Sequence, residues 1–204
     1  MRPVQYAVYR GSYDIFKFVL ECNDADIENQ IQSQMSLTGS TLLHLSAFRG
    51  SVGILNDLLE RNLNPFQQNR AGDTSLHLAI RRNHLDWVLA FVRWCVQKNY
   101  TAARAEIENS AECQTPFMTA VLRERFEIAD LLLKNNLATK GYVNREGRTV
   151  HQIAEDQNKT NAIAYLGGEL HSQKFKRDGS VNKIGTSLPA TNRRGSPSGV
   201  VTHQ

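Results

Sequence analysis

Two histidines, His44 and His77, are the first candidates for a metal site or a catalytic site, because an imidazole can bind a metal ion or act as a catalytic base. They lie 33 residues apart in two similar stretches, "GSTLLHLSAFRGS" and "GDTSLHLAIRRNH". No acid or cysteine shares their spacing, so the sequence predicts no metal site there. Asp73, His77 and Cys95 make no known nucleophilic arrangement. We therefore expect both histidines to be structural residues.

The cysteines favour free thiols. Cys22, Cys95 and Cys113 are few, odd in number and without a CxxC spacing, which predicts neither a disulfide framework nor a zinc ribbon. No apolar run approaches the length of a membrane span, and the first residues lack the apolar core of a secretory signal. We expect a protein of the cytoplasm, with the nucleus as the alternative.

The elements around the two histidines repeat along the chain. A threonine recurs at Thr41, Thr74, Thr115 and Thr149, and Arg2 takes the first threonine position. The steps between these positions are 39, 33, 41 and 34 residues. A period near 33 with two insertions indicates a solenoid of similar units.

The sequence of each unit predicts two short helices. The threonine suits a helix N-cap, and Pro3 and Pro116 suit the first helical position. Glycine or asparagine follows the first helix, where a left-handed conformation ends it: Gly11, Gly50, Asn83 and Asn158. The second helix has a wide apolar face, so stacked units bury each other. Replacing Leu78 or Leu131 with alanine is expected to cost about 2–5 kcal/mol.

These repeats resemble ankyrin repeats, most closely over Gly39–Leu59 and Gly72–Val92, which follow a G-x-T-P-L-H-x-A frame. The resemblance implies an all-α solenoid of stacked helix-turn-helix units with β-hairpin fingers. It implies protein binding, no catalytic residue, no cofactor, and histidines that hydrogen-bond between adjacent repeats. The predicted domain covers 1–170, with repeats near 2–23, 36–64, 69–98, 110–138 and 144–168. The first copy has no preceding finger; it is either a cap or the start of a piece cut from a longer chain.

A pair of residues at the end of each first helix is the candidate binding site. In ankyrin stacks this position borders the concave surface, and its second member is Arg in four repeats. An acidic partner with aromatic or apolar anchors would fit this row; a merely solvated surface is the alternative. The candidate residues are Tyr9, Arg10, Phe48, Arg49, Arg81, Arg82, Leu122 and Arg123.

The stretch Asp86–Cys113 extends the third unit beyond the usual length. Trp94 lies past the normal end of the second helix, either covered by the inserted residues or exposed. Cys113 stands where other fingers have glycine, which predicts a longer and differently shaped finger. Deleting about eight residues within Asn99–Ala111, together with Cys113→Gly, is then expected to leave a folded, regular protein.

The segment 171–204 is predicted to be a disordered basic tail, with a net charge of +5 against −1 for the rest of the chain. Ser196 in "RRGSP" is a candidate for phosphorylation. Nucleic-acid binding is not expected, and membrane contact only as a weak interaction of the tail. We expect a monomeric, non-catalytic scaffold or adaptor without a small-molecule substrate. The alternative is a targeting or regulatory ankyrin module cut from a larger enzyme or signalling protein.

Overall fold

The computed structural model describes residues 2–22 and 26–168, which form five successive helix pairs and two additional short helices. The predicted tail and Ser196 lie outside these residues. No helix among those described combines the length and apolar composition needed to cross a membrane. The pairs are α1 Pro3–Arg10 with α2 Tyr13–Glu21, α4 Leu42–Arg49 with α5 Val52–Glu60, α6 Ser75–Arg82 with α7 Leu85–Gln97, α9 Pro116–Leu122 with α10 Phe126–Lys134, and α11 Val150–Asp156 with α12 Thr160–Leu166.

The helix pairs stack into two layers. The first helices of the pairs pack on one another in an inner layer, and the second helices α2, α5, α7 and α10 pack in an outer layer. One continuous apolar core runs between the layers, with Leu43, Leu55 and Val88 among its fully buried members. Each pair therefore buries its apolar face against its neighbours, as the period predicts.

The helix ends follow the sequence signals. Thr41, Thr74, Thr115 and Thr149 are N-caps, and Arg2 takes the same place before α1. Left-handed residues end the first helices or follow them directly: Gly11, Gly50, Asn83, Glu124 and Asn158. Glu124 is the member that the pattern of glycine and asparagine did not predict.

The fingers are short loops before α4, α6, α9 and α11, each closed by a backbone hydrogen bond between its ends. The loops 69–73 and 144–148 are one residue shorter than 35–40 and 109–114. The described residues contain no β-strand; a single antiparallel bridge joins Val143 and Thr149. Neighbouring fingers also touch, since the Ser110 N–H donates to the Ala71 carbonyl at 3.0 Å.

Cys113 corrects the expectation of a differently shaped finger. Its φ is 50°, so it adopts the left-handed conformation of Gly39, Gly72 and Gly147 despite its Cβ. The Asn109 side-chain oxygen accepts the Gln114 N–H at 3.0 Å and holds this turn. Gly72 differs from Cys113 in the space around it, because a Cβ at Gly72 would lie 2.3 Å from the Ser110 nitrogen. The finger 109–114 is one residue longer than 69–73, but Cys113 turns the chain in the same left-handed conformation as Gly72.

The inserted residues form a packed extension. The short helix α8, Ala102–Ala105, follows α7, and Ala105 is buried. Tyr100 packs against Trp94 with ring centroids 5.4 Å apart and against Phe66 at 5.2 Å. Trp94 is thus half-covered by the insertion. The second additional helix, α3 Ile27–Gln32, fills the other long step and buries Ile31 beside α1.

The packing of the insertion reverses the expected result of deleting it. Removing residues 99–106 should lower the free energy of unfolding by at least about 2 kcal/mol, because aromatic surface loses its cover. Cys113→Gly alone should leave stability unchanged or raise it by about 0.5–1 kcal/mol, because glycine adopts the left-handed conformation without strain. Urea unfolding followed by circular dichroism measures both, and a deletion variant as stable as the parent would contradict this packing.

Burial also revises the two leucine substitutions. Leu78 and Leu131 are only half-buried, whereas Leu76 and Leu132 are buried. Leu132→Ala should therefore cost about 2–5 kcal/mol by leaving a cavity, and the adjacent Leu131→Ala should cost clearly less. The same unfolding assay compares the two variants, and an equal loss for both would mean that the assigned helix face is wrong.

Candidate protein-binding face

The two histidines connect neighbouring helix pairs. The Thr41 N–H donates to His44 Nδ1 at 3.1 Å, and Nε2 lies 2.9 Å from the Asp73 carbonyl oxygen of the next finger. His77 repeats this geometry, with 3.1 Å to the Thr74 nitrogen and 3.0 Å to the Gln114 carbonyl. A backbone donor at Nδ1 requires the proton on Nε2, so both rings are neutral.

The candidate catalytic groups are engaged in packing. Cys95 is buried in the core, and burial raises the pKa of its thiol to about 12. Asp73 accepts from Asn109 and pairs with Arg81. Within residues 2–22 and 26–168, no group of three or more histidine, cysteine or acidic side chains could hold a metal ion.

The candidate pairs at the ends of the inner helices include an alternating stack of arginine and aromatic side chains. The Arg49 guanidinium carbon lies 4.5 Å from the Tyr9 ring centroid and 5.6 Å from that of Phe48. The Arg82 guanidinium carbon lies 3.8 Å from the Phe48 ring centroid. Arg49 Nε also donates to the Tyr9 carbonyl oxygen. We call Tyr9, Arg49, Phe48 and Arg82 the aromatic–arginine ladder.

The next arginines of the candidate pairs meet carboxylates instead. Arg81 pairs with Asp73, and its other terminal nitrogen lies 3.2 Å from Glu112. Arg123 lies 3.6 Å from the same Glu112. Within the described chain, by contrast, no carboxylate pairs with Arg49 or Arg82. The positive charges of the two ladder arginines therefore have no carboxylate partner among the described residues, whereas the charges of Arg81 and Arg123 are neutralised by Glu112.

Leu122 is buried in the core, which corrects its place among the exposed site residues. It closes the bottom of a groove of about 430 Å³ between the last two fingers and the inner helices. Glu112, Arg123, Arg148 and Lys159 also line this groove, and Arg148 is paired with Glu146 and Asp156. This end of the face is thus polar and internally paired.

Comparison with known proteins agrees with this architecture. A family model described as ankyrin repeats, in three copies, matches residues 4–101. The chain contains ankyrin repeats. One curated relative, the Nuclear factor NF-kappa-B p110 subunit of Drosophila melanogaster, is 29% identical over 70 residues. The match covers 34% of this chain and 7% of that relative.

The ankyrin frame makes clear which residues sequence reasoning missed. Glu112 neutralises two arginines of the candidate pairs, but its finger is one residue longer than the fingers on either side, so the repeat pattern did not align it with them. Leu37, at the finger before α4, is 84% exposed and is the most exposed large apolar residue described. An apolar residue at a fingertip was the signal that could have identified it.

Protonation of His77 should destabilise the ankyrin stack in acid. Burial lowers the pKa of His77 from 6.5 to about 4, so the unfolded chain binds a proton before the folded chain does. The free energy of unfolding should be highest above pH ~6.5 and fall by up to about 3 kcal/mol as the pH decreases to ~4. Urea unfolding over this pH range measures the fall.

His77→Gln is the matched variant for this measurement. Gln5 and Gln152 already occupy the corresponding position in the first and last repeats, where they accept the N-cap N–H. The variant should show a smaller loss of stability between pH ~6.5 and ~4. An unchanged loss would assign the acid sensitivity to other groups.

Proposed function

We propose that the chain is a non-catalytic protein-binding module that holds an acidic protein segment on its aromatic–arginine ladder. One observation carries the proposal: Arg49 and Arg82 are exposed and stacked, and no carboxylate of the described residues neutralises them. Ankyrin repeats are in general protein-interaction modules, and this coarser role agrees with the proposal.

Stacking prepares the two guanidiniums for a carboxylate. A guanidinium that lies on an aromatic ring uses its face for the ring, so that a carboxylate can approach the N–H donors at its edge. In Arg49 these are the donors of the terminal nitrogens, because its Nε donates to the Tyr9 carbonyl oxygen. Because the side chain is already ordered, less conformational entropy is lost when a carboxylate binds. Tyr9 and Phe48 thus act as positioning residues for Arg49 and Arg82.

Apolar surface next to the ladder suggests the second property of the partner. Tyr9 is exposed, and Leu37 projects from the finger that precedes the Arg49 helix. That finger, 35–40, carries no charged residue. A segment with carboxylates and an aromatic or aliphatic anchor therefore fits this end of the concave face better than the paired end around Glu112.

A regulatory module of a larger protein is the second candidate function. It is supported by the curated relative, which is named a subunit of a nuclear factor and of which the matched stretch is only 7%. In both candidates the ladder is the binding surface. They differ in whether the chain connects separate partners as a scaffold or adaptor, in the cytoplasm or nucleus, or controls a domain joined to it.

Charge reversal of the ladder tests the proposal. Arg49→Glu with Arg82→Glu should weaken binding of a fluorescein-labelled, glutamate-rich peptide that contains phenylalanines by at least about tenfold, measured by fluorescence anisotropy. Phe48→Ala should weaken binding less, because it removes the support and keeps both charges. The double reversal should also cost roughly 1–2 kcal/mol of stability through the lost ring contacts.

The matched control is Arg93→Glu with Lys98→Glu, which makes the same change in net charge on exposed residues at the end of outer helix α7. Its peptide affinity should fall much less, and parent binding should weaken as salt is added. Equal losses for both double variants would contradict a site at the ladder.

A further inference from the structure

The side of the first helix pair that faces away from the stack is apolar. In every later pair, the corresponding side lies against the preceding pair: Trp87 Nε1 donates to Ser46 Oγ, and the Tyr165 hydroxyl donates to Asp130. The fully buried Ile54 takes the Trp87 position in the second pair. Its counterpart in the first pair, Ile15, is 46% exposed.

Two further residues complete this surface. Phe18 corresponds to Asp57, which is bound by Tyr13 and Lys17 of the preceding pair, and Phe18 is 67% exposed. Tyr6 corresponds to the buried Leu45 and is 52% exposed. We call Tyr6, Ile15 and Phe18 the N-terminal face.

Two charged residues, Arg10 and Asp14, lie at the edge of this face. The equivalent positions in the second helix pair contact the helix pair before it. Arg10 corresponds to Arg49, which donates to the Tyr9 carbonyl of the pair before it. Asp14 corresponds to Gly53, where a Cβ would lie 3.0 Å from the Tyr13 ring. Arg10 and Asp14 are both exposed. The N-terminal face thus has the geometry of a surface that receives another helix pair, with one charge of each sign at its edge.

The opposite end of the stack is polar. The last pair exposes His151, Gln152, Glu155 and Asn161. A second copy could not therefore continue the stack head-to-tail by apolar burial. The apolar helix surface that a second copy can offer is therefore its own N-terminal face.

We propose that the N-terminal face binds the same face of a second copy, giving a head-to-head dimer with two-fold symmetry. In such an interface Arg10 of one copy can meet Asp14 of the other twice, so the charges are self-complementary. The three exposed side chains offer roughly 300 Å² of apolar surface per copy, and a polar rim brings the total area to about 1,000 Å². An interface of this size predicts a weak dimer, in contrast to the monomer expected from the sequence.

Sedimentation velocity of the full 204-residue chain, from about 1 to 100 μM, tests this dimer. Reducing agent keeps the exposed Cys22 from cross-linking two copies. The parent should shift from the mass of one chain towards that of two as its concentration rises. Phe18→Asp should raise the dissociation constant at least about tenfold without unfolding the chain, because Asp57 already occupies that position in the second pair.

Two matched variants sharpen the test. Val143→Asp changes an exposed apolar residue that directly precedes the finger 144–148, far along the chain from the N-terminal face, and this variant should dimerise like the parent. Arg10→Glu should weaken the dimer, and adding Asp14→Arg should restore it. A parent that stays monomeric throughout, or a Phe18→Asp variant that dimerises like the parent, would overturn the proposal. In the monomer, α2 should exchange its amide hydrogens faster than outer helices that lie between two pairs. Protection of α2 equal to that of those helices would assign the face to another segment of this chain and would also overturn the proposal.

Discussion

Burial of one helix pair by the next is the interaction on which the rest of the structure depends. A pair of helices with about eight residues each cannot enclose its own apolar face, so that face is covered only when another pair stacks on it. Hydrogen bonds between repeats add to this packing. His44 and His77 link the inner helices α4 and α6 to the fingers that follow them, while Trp87 links an outer helix to the preceding inner one.

Repetition also explains what the sequence could predict. Threonine caps, glycine and asparagine at helix ends, and the structural histidines depend on local geometry that recurs in each unit. Their spacing therefore identified them, and the structure places them as expected. The positions that were misjudged depend on contacts between units. Leu122 is buried although the equivalent Tyr9 is exposed, and Leu131 is only half-buried although it adjoins the buried Leu132. Only the stacked structure determines how far each of the two leucines is covered.

Cys113 and Arg81 illustrate the two remaining sources of error. Cys113 adopts a conformation usually reserved for glycine, at a cost on the order of 1 kcal/mol, because the Asn109 side chain and the neighbouring backbone hold the turn. Arg81 was expected to be a residue of the candidate binding site. One of its carboxylate partners, Glu112, lies 31 residues away in a finger of different length, and no local pattern connects them.

The proposed binding site rests on the charge distribution at the ends of the inner helices. Carboxylates from the later fingers neutralise Arg81, Arg123 and Arg148, whereas the finger before α4 supplies none for Arg49 and Arg82. Under the proposed function, most of the binding energy for an acidic segment should therefore come from the first half of the stack. The most direct measurement is a titration of the arginine Nε–H signals in two-dimensional NMR spectra, with a glutamate-rich peptide containing phenylalanines. The Arg49 and Arg82 signals should shift in proportion to peptide bound, and the shifts should diminish with added salt, while the Arg81 signal stays in place. Shifts of equal size at Arg81, or none at Arg49 and Arg82, would contradict the ladder as the binding site.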